Sequence, residues 1–383
     1  AVANADVVII AVGTPQGDND IMPDMRYLDA AVQEVAKAIS KYTLVVVKST
    51  VPVGTNRRLA KLISTTNPEA DFDVVSNPEF LREGMAIKEF MSPDRIVVGL
   101  DSRRARDLIT RMYEPVCLNG AQLFFTTFES AEMIKYAANS FLAMRVAFIN
   151  EIADLCEATG ANIRDVAKGM GMDHRIGNKF LSPGPGYGGS CLPKDTNALK
   201  GIGRSAGAPV SLVEATIVSN ESRKQRMTKK IIETAGGDVK GKSIAVLGLT
   251  FKPGTDDMRE SPSLVIVPQL LAAGALIRAY DPQGMKEAAK YLSGNIEWCK
   301  DEYDAMKDAD MLVLLTEWNE FRSLDLKKVR SLLKKPDVVD LRNVYKRQDM
   351  QRFGFRYISV GRRPVEPGQP WIPDLNMDDE EAA

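Results

Sequence analysis

The 383 residues carry 50 Lys and Arg against 51 Asp and Glu, a formal net charge of -1, with 44% hydrophobic and 26% charged residues. That length exceeds one typical domain, and the balance is ordinary for a soluble globular protein without the basic excess of a general nucleic-acid binder. No apolar run approaches the roughly 20 residues that cross a bilayer. The four cysteines form no CxxC pair and His174 is the only histidine, which argues against a disulfide scaffold and a zinc site and leaves a multi-histidine metal centre excluded, so no metal is expected.

Residues 7–12 form a short β-branched apolar run ended by Gly13, Thr14 and Pro15, which predicts a buried parallel strand and a loop at its carboxyl end. A helix over 27–39 and strands over 43–50, 72–80 and 94–100 follow, an alternation that implies βαβ units with ligands at the strands' carboxyl ends. The first strand is apolar on both faces, as an interior strand is, yet nothing precedes it to cover one side; the expectation is that the first part of a domain is missing, the alternative being an edge strand covered by another element. Over 130–157, Ile134, Ala137, Phe141, Met144, Phe148, Ile152 and Leu155 recur at helical spacing behind Ser130, a candidate N-cap, and a second long helix is expected over 210–235. Strands over 243–249, 275–282, 309–318 and 336–343, with a helix over 263–273, read as another doubly wound unit. From Arg363 the chain turns Pro-rich and then acidic, the composition of a disordered tail. The fold class expected is therefore α/β: two doubly wound Rossmann-like domains (1–127 and 239–362) joined by a helical middle domain (128–238), with a tail over 363–383.

The dinucleotide fingerprint is absent. Gly201 to Ala206 nominally fits GxGxxA but follows a helical stretch, and reads as a turn. Any such fingerprint would lie outside this sequence. Strand ends instead place Thr14, Lys48, Ser49, Thr50, Glu79 and Glu83 on one edge, as ligand contacts or as turn and cap residues. Lys135 and Asn139, four apart, share a helix face, either as solvated surface or as donors aimed at a developing oxyanion. In "GPGYGGSCLPKD", Gly188 and Gly189 permit close approach of a ligand, and Pro193 suits the first turn of a helix whose N-terminus favours a thiolate at Cys191. Lys194 adds positive charge and Asp195 is a candidate base. Cys117, Cys156 and Cys299 read as small buried hydrophobes. Phe251 and Lys252 follow a strand directly, and Arg259 lies in the same loop; an aromatic beside a cation suits a base and a phosphate, or Phe251 is structural.

With these residues in view, the chain resembles the UDP-glucose/GDP-mannose dehydrogenase family through "VGTP", "KSTVPVGT", "NPEFLREG", "SPDRIVVG", "GMDHRIGNKFL", "GPGYGGSCLPKD" and "LGLTFKPGTDDMRESPS". The resemblance runs from residue 1 to about 361 and departs at the beginning, where family members carry a strand and a GxGxxG loop. It implies an NAD-dependent oxidation carried out twice at one sugar carbon, with Cys191 holding the aldehyde as a thiohemiacetal and then a thioester. Lys135 and Asn139 match the oxyanion-stabilising pair, Asp195 or a Glu the activator of water, and Glu79 and Thr50 the surroundings of the reacting carbon. Gly13, Thr14, Pro15, Ser49, Thr50, Glu83 and Arg259 match cofactor contacts. Phe80, Leu81, Arg175, Phe180, Leu181, Gly188, Phe251, Lys252 and Arg342 match substrate contacts, with Arg175 reaching a neighbouring subunit's site, hence a homodimer or larger assembly. UDP-glucose is favoured over GDP-mannose or an N-acetylated UDP-sugar, in the cytoplasm, with no nucleic acid or membrane partner. A catalytically inert fragment that still dimerises, and a one-step alcohol dehydrogenase, are the alternatives.

Overall fold

The computed structural model describes residues 2–17 and 22–369. The chain divides into two compact units, Ala1–Phe141 with Lys194–Glu214, and Leu142–Pro193 with Ala215–Ala383.

In the first unit the strands β1 (Val7–Ile10), β2 (Thr43–Val47), β3 (Phe72–Ser76), β4 (Arg95–Gly99) and β5 (Gln122–Thr126) lie side by side in that order. Every residue of β2 is buried. Its alternate side chains go to opposite faces, Val45 and Val47 into one cluster and Leu44 and Val46 into another, which is why the run is apolar throughout. Helices α1 (Arg26–Ala38) and α2 (Thr55–Thr66) cover the first face with Leu28, Val32, Leu59 and Ile63. Among the described residues β1 pairs with β2 alone and Ile9 is 48% exposed, so the strand expected to be buried over 7–12 is shorter and only partly buried. β3 and β4 meet antiparallel through the single pair Ser76 and Gly99, which makes the sheet mixed rather than wholly parallel. The connection between them holds only one short helix, α3 (Ala86–Met91), and α4 (Arg103–Cys117) then leads into β5, a strand the sequence reading passed over.

Helix α5 (Phe128–Thr159) runs 32 residues and contributes to both units. Its start is held by Thr127 rather than Ser130: the Thr127 hydroxyl oxygen accepts from the Ser130 N–H at 3.3 Å. After α6 (Ile163–Gly171) comes α7 (Leu192–Ser205), whose Ala198 and Leu199 pack with Tyr136. Gly201 and Gly203 are buried inside α7, so the nominal fingerprint is helix and not a turn; a Cβ at Gly203 would stand 2.7 Å from the Ala208 carbonyl oxygen. Helix α8 (Ser211–Thr234) follows.

The second unit holds β6 (Ser243–Leu247), β7 (Leu276–Tyr280), β8 (Ile296–Trp298), β9 (Met311–Leu314), β10 (Asp337–Asp340) and β11 (Arg356–Ser359). All are parallel, in the order β11-β10-β9-β6-β7-β8. This is the doubly wound order, and its reversal lies between β6 and β9, where such sheets take ligands at the carboxyl ends. There Gly248 has a φ of +85°, and a Cβ on it would meet Thr316 at 2.5 Å, so the loops after β6 and β9 touch backbone to backbone. Asp281 fastens the same edge. Its buried carboxylate accepts from the Leu249 and Thr250 N–H groups, the Thr250 hydroxyl and Trp318 Nε1–H on one oxygen, and from the Gln283 and Gly284 N–H groups on the other. Residues 363–369, the start of the tail expected from residue 363, lie among the described residues. Val365 exchanges backbone hydrogen bonds with Tyr357 at 2.9 Å, and the remainder over 370–383 lies outside the described residues.

Candidate active site

In the first unit, α5 carries Lys135 and Asn139 one turn apart, and both are buried, 3% and 8% exposed. The solvated-surface alternative is thereby removed. Lys135 Nζ donates to Glu79 Oε1 at 3.1 Å, and Asn139 Nδ2 donates to Asp195 Oδ2 at 2.5 Å. Asp195, in the first turn of α7, is 1% exposed and also accepts from Lys194 Nζ at 2.7 Å. Burying charges costs free energy unless each is paired and hydrogen-bonded, and here each carboxylate faces a donor from α5. The other Glu79 oxygen accepts from the Leu81 N–H at 2.6 Å, while Phe80 sits beneath Arg95, 4.0 Å from ring centroid to guanidinium. Glu83, in the same loop, is half-buried.

The base of that loop rests on Lys48. Its Nζ donates to Asn77 Oδ1 at 3.0 Å, Tyr113 donates to the same oxygen at 2.5 Å, and Asn77 Nδ2 reaches the Val97 carbonyl at 2.8 Å. Burial pushes the Lys48 ammonium down to about 8, with Lys135 adding to the shift and Glu79 opposing it. Between about pH 8 and 10.5 the unfolded chain therefore holds more protons at this site, and stability rises with pH through that window, the burial penalty being present in full below it. Thermal unfolding of wild type and Lys48→Met should show this: their difference in Tm narrows or reverses in the wild type's favour as pH climbs through the window. A pH-independent difference would contradict it.

Thr14 and Thr50 are buried, and the loops that carry them are tied together. The Thr14 hydroxyl donates to the Thr50 carbonyl at 2.9 Å and Ser49 Oγ donates to the Val12 carbonyl at 2.6 Å. Gly13 has no atom within 4 Å of where its Cβ would be, and Pro15 beside it is exposed. Glu132 on α5, which the sequence reading missed, fixes the start of α2 by accepting from the Gly54 and Asn56 N–H groups and from Asn56 Nδ2.

In the second unit the thiol loop is built against the ligand edge of the sheet. Cys191 is exposed immediately before α7, its Sγ 3.5 Å from Ser190 Oγ. Gly188 does not leave room for a ligand, as its place in the loop suggested. A Cβ there would stand 2.3 Å from the Glu260 carbonyl oxygen, and one on Gly189 would stand 2.7 Å from the Phe251 ring. The glycines admit the protein's own backbone and an aromatic ring. Glu260 is held at a φ of +53°, an uncommon conformation for a residue with a Cβ, and the Arg259 carbonyl accepts from the Gly189 N–H at 2.8 Å. Arg342 donates from Nε to the Leu315 carbonyl at 2.8 Å and from Nη2 to the Phe251 carbonyl at 3.0 Å, and its Nη1 would lie 3.0 Å from a Cβ on Gly184. Phe251, Arg259, Arg342 and the thiol loop are thus one packed assembly at the switch point. Lys252 extends from it, 5.3 Å from the Phe251 ring, and the Arg259 guanidinium pairs with Asp257 at 2.8 Å.

Other candidates stand apart from this assembly. Arg175 is exposed and donates to Asp173 two residues before it, which raises its already high pKa. Phe180 is 38% exposed at a φ of +59°, while Leu181 is buried in the core of the unit.

Comparison with known proteins bears on this arrangement. Models of the UDP-glucose/GDP-mannose dehydrogenase family match three segments: the NAD binding domain over residues 1–117, the central domain over 129–222 and the UDP binding domain over 245–347. A UDP-glucose 6-dehydrogenase of Rhizobium meliloti is 54% identical over 364 residues, 94% of this chain and 83% of that protein. The UDP-glucose 6-dehydrogenase TuaD of Bacillus subtilis is 44% identical over 383 residues, 99% of this chain and 82% of that protein. Among solved structures, a UDP-glucose dehydrogenase from Pyrobaculum islandicum superimposes with a TM-score of 0.84 at 35% identity, covering 94% of this chain and 80% of that one. With its switch-point site and all three family domains, this chain belongs to the UDP-glucose/GDP-mannose dehydrogenase family.

Proposed function

We propose that the chain oxidises the primary alcohol of UDP-glucose to the carboxylate of UDP-glucuronate in two steps at one carbon. The observation that carries the reading is the packing of the Cys191 loop against Phe251, Glu260 and Arg342 at the reversal point of the UDP-binding sheet. The names of the relatives support the substrate.

The first unit fits a dinucleotide at its carboxyl edge. Its loops after β1 and β2 are tied by Thr14 and Ser49, and Gly13 leaves its Cα face bare for a flat group, with Pro15 and Thr50 beside it. NAD bound there supplies the hydride acceptor, one molecule for each of the two oxidations; Glu83 and Arg259 are further contacts implied by the family match.

Cys191 Sγ adds to the carbon of the sugar aldehyde, forming a C–S bond while the carbonyl oxygen takes a proton. Loss of the second hydride to the NAD that would be bound there, together with the hydroxyl proton, would turn this thiohemiacetal into a thioester. Water then attacks the thioester carbon, the C–S bond breaks, and thiol and carboxylate are released. Lys135 and Asn139 donate to the oxygen that carries negative charge during addition and hydrolysis. Asp195 accepts the proton of the attacking water, and Glu79 orients Lys135. Phe251, Lys252 and Arg342 hold the uridine diphosphate, Lys252 and Arg342 as cations for the phosphates. Phe80, Leu81 and Phe180 are further sugar contacts implied by the family match. Arg175 serves a neighbouring subunit, making the working form a homodimer or larger. The exposed Phe148 and Leu155 on α5 support such an interface. Among the described residues no helix is long and apolar enough to cross a membrane, and a cytoplasmic location is part of this reading.

Steady-state formation of NADH with UDP-glucose, GDP-mannose and UDP-N-acetylmannosamine tests the substrate. The expected kcat/KM for UDP-glucose is at least about tenfold above either competitor, a discrimination of about 1.4 kcal/mol. Turnover of GDP-mannose without turnover of UDP-glucose would contradict it.

A further inference from the structure

The backbone of the thiol loop is held at three points by side chains and backbone from outside it. The Gly184 N–H donates to Asn150 Oδ1 on α5 at 2.8 Å, and the Gly184 carbonyl accepts from Arg223 Nε on α8 at 2.9 Å. One turn earlier on α8, Asn220 reads Tyr187 as a partner strand would. Its Oδ1 accepts from the Tyr187 N–H at 2.9 Å and its Nδ2 donates to the Tyr187 carbonyl at 3.1 Å. Gly189 is fixed through the Arg259 carbonyl. Asn220 and Arg223 are 2% and 1% exposed, so neither has water as an alternative partner.

A polar amide placed inside a protein without a surface role is costly unless fully satisfied, and one that pairs both groups of a single backbone residue specifies that residue's position. Asn220 also closes the space beside Gly186, whose φ is +132° and whose Cβ would lie 3.1 Å from Asn220 Oδ1. A loop with glycines at 184, 186, 188 and 189 has little stiffness of its own. Its rigidity has to come from its partners.

We propose that Asn220 is a positioning residue for the reaction, supported by Arg223, which fixes the thiol loop and through it the Cys191 thiol at the start of α7. The inference rests on Cys191 being the nucleophile. Its mechanism is geometric: a covalent step needs the sulfur held at near-attack distance, and a loosened loop spends that orientation.

Two measurements on the full chain test it. In the wild type, hydrogen exchange should find the Tyr187 and Gly189 amides protected to the level of core strands, whereas exchange at the rate of open loops would overturn the proposal. Asn220→Ala should lower kcat for uronate formation at least about tenfold with KM for UDP-glucose within about threefold, and slow alkylation of Cys191 by iodoacetamide at fixed pH. Met227→Ala, a core truncation on the same helix, serves as the stability control. It should lower Tm comparably while leaving kcat and the alkylation rate close to wild type at temperatures well below unfolding. Equal loss of kcat in the two variants, or an unchanged kcat in a folded Asn220→Ala, would overturn the positioning role. Cys191→Ala separates the two levels: if that variant keeps full uronate formation, the nucleophile reading fails; if it loses it while Asn220→Ala is normal, only the positioning role fails.

Discussion

Cys191→Ala is expected to reduce uronate formation by at least about a thousandfold in kcat, with Tm unchanged. The side chain is exposed, and the Ser190 Oγ that lies 3.5 Å from its sulfur is at the surface too, so removing the sulfur leaves no buried cavity. The chemistry, by contrast, loses its covalent hold on the aldehyde. What remains is the first oxidation, and the variant should release aldehyde with one NADH per sugar at a rate set by that first step. Cys117→Ala is the control, with full activity expected. Full uronate formation by Cys191→Ala would leave the thiol no catalytic part.

Lys135→Met carries the second large effect, a loss of about 10² to 10³ in kcat, the range typical of removing one oxyanion donor. Methionine preserves the length and apolar packing of the stem while deleting the ammonium. The change also strips Glu79 of its partner at 3.1 Å, and a partly buried carboxylate without its cation costs stability, so Tm should fall as well. The double variant Lys135→Met/Glu79→Gln separates these contributions: it should recover much of the Tm but none of the kcat. Recovery of kcat in the double variant would mean that the lysine acts only to hold Glu79. Lys135→Arg should not rescue, because a planar guanidinium does not fit a site shaped for a compact ammonium that is 3% exposed.

The sequence conveyed the parts of this fold that repeat a simple period. β2, β6 and β9 are almost continuous apolar runs because both their faces are covered, and α5 carries its stripe from Ile134 to Leu155. The short strands β5, β8 and β11 were missed. At three to five residues each they lack length for a pattern, and all three lie at a sheet edge where one flank needs no apolar cover. The antiparallel meeting of β3 and β4 had no sequence signal either, since direction is set by how the chain between them folds back.

At the site, residue types declared themselves wherever chemistry demanded something unusual: a lone thiol among glycines, a lysine and an amide one turn apart. The supports did not. Asn150, Asn220 and Arg223 stand in ordinary helical sequence, and only the fold shows that all three reach the backbone of one loop. Gly188 shows how local reasoning misleads, because the space a glycine leaves was assigned to ligand and is filled by Glu260.

The central claim is that one site carries both oxidations with Cys191 holding the carbon between them. The most direct measurement is the stoichiometry of a limiting amount of UDP-glucose with excess NAD, counting NADH and uronate together and trapping free aldehyde with a carbonyl reagent. The account predicts two NADH for each UDP-glucuronate with no trappable aldehyde. One NADH per sugar with aldehyde accumulating in the wild type would contradict it.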